Sequence, residues 1–224
     1  TDDTWAEIED IAATDPRVRA IKNAVNTGPY VAKNLALTIA KGEFVTGQDA
    51  DDWAHPQTIE QQVSVLQKDA DVKACLAYMI RMNPDGLFTF FTRLGTMSSD
   101  GALRLALIST MFERAFLVEN LGFWDSVRFG ADSELIHRAQ MLLGENFVTY
   151  EIVSMLCLDL DTSLTNDPEF GVSRTSGLSD TRRNYKEAWS NWHETGGPQD
   201  IYMGFPQTPR KYETPAKMIV PDED

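Results

Sequence analysis

The stretch AKGEFVTGQDADDWAHPQTIEQQ, residues 40–62, places Asp49, Asp51 and Asp52 directly after the apolar pair Phe44-Val45. Carboxylates packed this closely repel one another. They stay ionised together only when well solvated or when a cation lies among them. An Asp-X-Asp-Asp set at the carboxyl end of a strand offers oxygen ligands on one short loop. Hard cations such as Mg²⁺ and Mn²⁺ take up such ligands and share them with substrate phosphates. The competing reading is a solvated turn whose Asp52 caps the helix that Pro56 opens. An EF-hand fits poorly, because Trp53-Ala54 stands where further spaced ligands and a central Gly are needed. A strand-end acid pair of the phosphatase kind would be followed by a small or hydroxyl residue, not by Asp52 and Trp53.

Three other segments carry groups with chemical potential. In NAVNTGPYVAKNLALTIAKGEF, Asn26 and Gly28 form a turn before a helix, and Asn34 lies about two turns on. A glycine-bearing loop at a helix start can approach a phosphate or ribose closely, although a plain turn into a helix has the same pattern. In RFGADSELIHR, Asp132 opens a helix and Glu134 follows on another face. Such an aspartate can act as a general base beside a cleft, or simply cap the helix. The segment from 162 to 193 is rich in hydroxyls and holds Arg174, Arg182 and Arg183, then Tyr185, Trp192 and His193. Arginines with Ser and Thr can hold a diphosphate. His193 is a candidate metal ligand, or a structural histidine beside a tryptophan.

The elements that must position these groups follow from periodicity and from Gly and Pro. Residues 4–13 read as a helix with Trp5, Ile8 and Ile11 on one face, and Thr4 and Glu7 have the capping-box spacing. RVRAIKNAV reads as a short strand. A helix from about Pro29 closes at Gly42, EFVTGQD reads as a second strand, Pro56 opens another helix, and VKACLAYMIRM is a third strand before the turn Asn83-Pro84-Asp85-Gly86. Farther on, LRLALIST reads as a strand, MFERAFLVENLG as a helix ended by Gly122, ADSELIHRAQMLLG as a helix, FVTYEIVSMLCLDL as β-rich, and SDTRRNYKEAWSNWHETGG as an amphipathic helix. This alternation predicts an α/β fold with helices on the faces of a sheet, whose ligands lie outside the carboxyl ends of the strands. The last 27 residues hold five prolines and read as a wrapping or loosely ordered tail.

Bulk properties narrow the partners. The 224 residues carry 20 Lys and Arg against 34 Asp and Glu, a formal net charge of −14, which argues against a nucleic acid or an anionic membrane as the main partner. With 42% hydrophobic residues the chain can bury a real core. Cys75 and Cys157 lie in apolar runs and imply no disulfide framework, which suits a reducing, cytoplasmic setting. The apolar runs are too short to span a bilayer, and no signal peptide is visible.

Taken in order, TDDT, NTG, AKN, AKGEFVTGQDADD and HP resemble the family 2 glycosyltransferases, the nucleotide-sugar-dependent enzymes of the GT-A fold. LGFWDSVRFGADSELIHR resembles that family's Gly-Phe-Asp segment followed by an acidic pair opening a helix that ends in Arg. The resemblance is dense over residues 1 to about 145. It implies a GT-A-like mixed, mainly parallel sheet with flanking helices. It implies a metal-dependent, non-processive transferase that moves a sugar, with a UDP-sugar as first choice of donor, to a hydroxyl of a glycan or a lipid-linked polysaccharide precursor. The same resemblance implies that Asp49 and Asp51, with Asp52 adjacent, hold Mg²⁺ or Mn²⁺ and the donor. It puts Asn26, Gly28 and Asn34 in the nucleotide-facing turn and helix, and Asp132 at the base position of inverting members. The organisation it implies is a domain over 1–197, with a nucleotide-sugar half at 1–82 and an acceptor half at 83–197, then a tail at 198–224.

The chain departs from the family pattern at two places. It opens where the family's second strand would just have ended, so a strand-helix-strand of roughly 40 residues is expected ahead of it. The acidic pair before the Asp132 helix reads Ala131-Asp132, so the first acid, and the contact it would supply to the base, is missing. The processive synthases' Gln-X-X-Arg-Trp signature is absent. A non-catalytic glycosyltransferase-like binding module is the alternative.

Overall fold

The computed structural model describes residues 3–89, 100–173 and 176–221. Arg174 and the first two residues of TDDT lie outside the described residues. The elements in chain order are α1 (Thr4–Thr14), α2 (Gly28–Ile39), β1 (Phe44–Val45), β2 (Trp53–Ala54), α3 (Thr58–Lys68), β3 (Ala74–Met82), β4 (Phe88–Thr89), β5 (Arg104–Leu105) and β6 (Met111–Glu113). There follow α4 (Arg114–Phe116), which runs on as a π-helical turn over Leu117–Leu121, then α5 (Ala131–Leu143), β7 (Phe147–Leu158), the hairpin β8 (Val172–Ser173) and β9 (Gly177–Leu178), and α6 (Asp180–Gly196).

The sheet is mixed, in the order β1-β6-β3-β7-β2, with β4 and β5 also pairing with β3. Its spine is the parallel pair β3 and β7, registered from Ala74 opposite Phe147 to Met82 opposite Leu158. The short strands around that pair run antiparallel to their neighbours. β3 is fully buried from Ala74 to Ala77, which is why its sequence is a continuous apolar run without alternation. Its residues still divide by face. Ala74 and Leu76 join the main core with Tyr30, Leu121, Leu135, Phe147 and Trp189, whereas Cys75 joins a smaller cluster with Leu66 and Met111 under α3. Both cysteines are free and buried. This architecture is the α/β fold with flanking helices that the alternation predicts.

Three local expectations are corrected. RVRAIKNAV forms no strand; it runs as an irregular, mostly exposed link between α1 and α2, and no described strand pairs with it to take its backbone groups. LRLALIST is a strand only over Arg104–Leu105 and then turns into a 3₁₀ turn at Leu107–Ser109. MFERAFLVENLG begins as a strand, since Met111 and Phe112 pair with β3 and β1, and becomes helical only from Arg114. Gly122 does end that helix, at φ +80, and a Cβ there would meet the Met203 carbonyl oxygen at 2.0 Å. The crowding has a source in the C-terminal segment. Met203 donates its N–H to the Leu121 carbonyl at 3.0 Å and accepts from Phe123 at 2.9 Å. Ile201, Met203 and Met218 are completely buried, so the tail wraps the domain as a packed strap.

Candidate active site

The acid-bearing loop lies where the sheet topology favours a ligand. β2 pairs antiparallel with β7, Trp53 opposite Leu156, and the loop before β2 therefore borders the carboxyl end of β7. Asp52 is tied there directly, its Oδ1 accepting from the Leu158 N–H at 3.0 Å. It caps the end of β7 and not the helix after Pro56, and burial pushes its carboxyl above the usual aspartate range. Asp51 is exposed. Asp49 is half-exposed and pairs with Lys33 of α2, with Nζ to Oδ1 at 3.5 Å. Burial raises the Asp49 carboxyl, Lys33 opposes the rise, and the charges of Asp132 and Asp51 add to it.

Asp132 is therefore an electrostatic neighbour of the loop, and the side chains between them are on α2. Tyr30 donates its hydroxyl to Asp132 Oδ2 at 2.9 Å. The Lys33 ammonium stands 5.0 Å from the centre of the Tyr30 ring. Trp124 donates its indole N–H to Asp132 Oδ1 at 3.0 Å. Asp132 does not cap its helix: the residue at the cap is Gly130, and the carboxylate reaches across to Tyr30 and Trp124 instead. The two donors fix both oxygens of the carboxylate, so the contact that the missing first acid would have supplied comes from an aromatic pair. Burial next to this carboxylate keeps the Tyr30 phenol protonated, well above its ordinary value.

Asn34 is completely buried. Its amide donates to the Trp124 carbonyl at 2.8 Å and accepts from the Trp124 N–H at 2.9 Å. Both polar atoms are used inside the fold, so it faces no nucleotide; it fixes the tryptophan that holds Asp132. Gln207 of the C-terminal segment adds a hydrogen bond to the same Trp124 carbonyl at 3.0 Å and accepts from Ser126 at 3.1 Å. Next to it, Asp125 is buried beneath Arg210, Tyr185 and Tyr212, all of which donate to it.

Asn26 is exposed and accepts from the Gly28 N–H at 3.1 Å. Gly28 has φ +80, which explains the glycine, and its α-carbon faces Val127, Arg128 and Val220. Both residues line an open groove with Trp5, Ile8 and Ile21 whose lining includes none of the acids. Arg182 spends Nε on the Phe170 carbonyl at 2.5 Å and Nη2 on the Leu164 carbonyl at 3.3 Å, and it stacks 4.6 Å from the Phe129 ring. Its guanidinium is committed to the fold beside Tyr30. Arg183 is exposed and pairs with Asp180 one turn away.

His193 is corrected as a metal ligand. Its side chain is completely buried, with Nε2 on Glu134 Oε1 at 3.0 Å and Nδ1 on His137 Nδ1 at 2.9 Å, so both ring nitrogens are taken inside the fold. Among the described residues no three His, Cys, Asp or Glu side chains gather as a metal cage. The loop's chemistry still fits a hard cation that draws part of its shell from a phosphate: Asp51 is exposed, Asp49 is half-exposed with one oxygen paired to Lys33, and Asp52 is held by the Leu158 N–H.

Tyr30, Lys33 and Trp124 are the partners of the candidate acids that motif reading misses. The first two had a signal, because Tyr30, Lys33, Asn34 and Leu37 share a helical face at i, i+3, i+4 and i+7. Trp124 had none, since its role depends on the path of the turn between residues 122 and 130.

Residues 1–104 match the family model "Glycosyl transferase family 2". An uncharacterized glycosyltransferase of Haemophilus influenzae is 34% identical over 79 residues, which is 35% of this chain and 24% of that protein. The chondroitin synthase of Pasteurella multocida is 33% identical over 86 residues, 38% of this chain and 9% of that one. Among solved structures, Staphylococcus aureus TarS 1–349 in complex with UDP-GlcNAc superposes with a TM-score of 0.55 at 16% identity, covering 83% of this chain and 52% of that chain. The likeness to TarS concerns the fold, and the chain spans about half of that structure and about a quarter of the Haemophilus protein.

Proposed function

We propose that this chain, which by its first 104 residues belongs to glycosyl transferase family 2, is the core of a metal-assisted, inverting transferase that moves a sugar from a UDP-sugar to a hydroxyl of a glycan or lipid-linked precursor. The observation that carries the reading is the link of both acids through one face of α2: Lys33 pairs with Asp49 at 3.5 Å, Tyr30 donates to Asp132 at 2.9 Å, and the Asp132 charge is felt at Asp49. Asp132 has the geometry of a base, since both oxygens are oriented by donors and each keeps a lone pair. It takes the proton of the acceptor hydroxyl as that oxygen bonds to the anomeric carbon. The bond from that carbon to the diphosphate oxygen breaks with inversion, and the nucleoside diphosphate leaves with the electron pair. Asp49 and Asp51 would hold Mg²⁺ or Mn²⁺, which when bound neutralises charge building on the leaving diphosphate. TarS is seen in complex with UDP-GlcNAc, which supports a UDP-sugar as the first donor to try. No described helix is long and apolar enough to cross a membrane, and the buried free cysteines suit a cytoplasmic enzyme.

The test is titration of the chain with UDP and Mn²⁺ by calorimetry, beside Asp51→Ala. Binding that needs the metal and disappears in the variant supports the reading; equal binding by both would sink the metal assignment. A non-catalytic binding module is favoured by a different observation, the commitment of Asn34, Asp52 and Arg182 to internal bonds. It predicts glycan or nucleotide binding with no Mn²⁺ dependence and no turnover.

A further inference from the structure

Arg182 spends its guanidinium on backbone carbonyls and Arg183 pairs with Asp180, so neither is poised to meet a diphosphate beside the acids. Lys33 is. Its side chain is only 17% exposed, its ammonium lies 3.5 Å from Asp49, and the Tyr30 ring lies below it. At Asp49 the charge of this ammonium is opposed by those of the Asp132 and Asp51 carboxylates. A divalent cation ligated by Asp49 would arrive against that ammonium, and like charges within a few ångströms in a partly buried site repel strongly. An ammonium on a flexible four-carbon stem can leave one anion for another, and a phosphate oxygen is a good alternative partner.

Resting on the nucleotide-sugar reading above, we propose that Lys33 and the divalent cation are alternative partners of Asp49, and that the donor diphosphate settles the exchange by taking Lys33. Without donor the lysine holds the acidic loop to α2 and keeps metal affinity low. With donor present, Lys33 turns to the diphosphate, Asp49 is released to the metal, and the two ligands bind as a coupled pair. Coupling of this kind is reciprocal, so each ligand tightens the other by the same factor.

The experiment is calorimetric titration of the 224-residue chain with Mn²⁺ alone, with UDP alone and with both, for the wild type, Lys33→Met, Lys33→Arg and Asp49→Asn. Lys33→Met is expected to bind Mn²⁺ alone about tenfold more tightly and UDP in saturating Mn²⁺ about tenfold more weakly, which collapses the coupling factor. Lys33→Arg, which keeps the charge, is expected to stay near the wild type, and Asp49→Asn to lose Mn²⁺ uptake. Manganese affinity that is unchanged or weaker in Lys33→Met overturns the proposal. If the wild type still binds UDP only with Mn²⁺ in that case, the nucleotide-sugar reading stands and the lysine exchange alone falls. If neither the wild type nor Lys33→Met takes up Mn²⁺ with or without UDP, both fall.

Discussion

Asp132 and Glu134 stand two residues apart in the first turn of α5 and meet opposite environments. Glu134 points inward. Arg138, one turn on, grips it through two hydrogen bonds of 2.7 and 2.9 Å, and His193 of α6 adds a third at 3.0 Å. Arg138 then spends its remaining donors on the carbonyls of Leu121 and Phe123. Glu134, Arg138 and His193 have no exposed surface, and every charge there has a partner. Asp132 reaches Tyr30 and Trp124 instead, and its charge is felt at Asp49, which pairs with Lys33. The first region is a closed ionic lock between α5, α6 and the turn after Leu121. The second is a set of carboxylates on a loop and a helix start, in which Asp51 is exposed and Asp49 is half-exposed beside Lys33. What separates them is completion: a satisfied buried acid has nothing left to offer a ligand, and an incompletely balanced one at a strand end does.

The largest effect should come from breaking the lock. Arg138→Met leaves the buried Glu134 without its cation, held only by the hydrogen bond to His193, and is expected to cost about 3–5 kcal/mol of stability in a denaturant titration. Substituting both members of the pair with apolar residues should recover much of that loss, which would show that the cost is the orphaned charge. Asp132→Asn should do the reverse. Transfer activity is expected to fall by about 10²–10⁴, while denaturation changes by no more than about 1.5 kcal/mol for the altered hydrogen bonds. An Asp132 variant that unfolds, or one that keeps its turnover, would break the contrast between the two acids.

The two regions should also respond to acid with opposite sign. Burial alone would raise the Glu134 carboxyl, but the charge of Arg138 and the hydrogen bond from His193 outweigh it and hold it below its ordinary 4.5. Its contribution to stability is thus present above pH 4.5 and is lost as pH falls through the lower folded value. Asp49 and Asp52 are raised above their ordinary 3.8, so their contribution is full below that pH and is lost as pH rises through the folded values. Stability measured against pH should therefore fall on acidification below 4.5 in the wild type. Replacing both Asp49 and Asp52 with Asn should flatten the small opposing slope above 3.8 and leave the acid limb in place. The smallest effect concerns the strap. Gln207→Ala removes two hydrogen bonds around Trp124 and is expected to cost about 1 kcal/mol, with loss of activity exceeding loss of stability if Trp124 orients the base.

The order of elements was legible because each is announced locally. α2 has a turn glycine and Pro29 at its start, α5 and α6 carry amphipathic periods, and β3 and β7 are long apolar runs. RVRAIKNAV failed because strand character needs a partner strand, which local sequence does not specify. Of the site, the Asp-X-Asp-Asp loop and Asp132 could be named in advance, since carboxylates after a strand and at a helix start are recognisable in one dimension. Their mutual approach could not, nor could the reassignment of Asn34, Arg182 and His193 to internal bonds. Each of those residues has a polar group that serves a ligand or the fold equally well, and only its neighbours decide.

The sequence by itself determined the class of fold, the likeness of residues 1–104 to family 2 glycosyltransferases and the places of the acids after a strand and at a helix start, because periodicity, turn chemistry and motif spacing are short-range properties. Tertiary structure decided which of the polar groups are free. Trp124 reaches Asp132 only because Asn34, 90 residues away along the chain, and Gln207, 83 residues away, hold its backbone in place. Buried polar groups must find partners wherever the packed chain brings them, and that requirement is met across distances that no local pattern records.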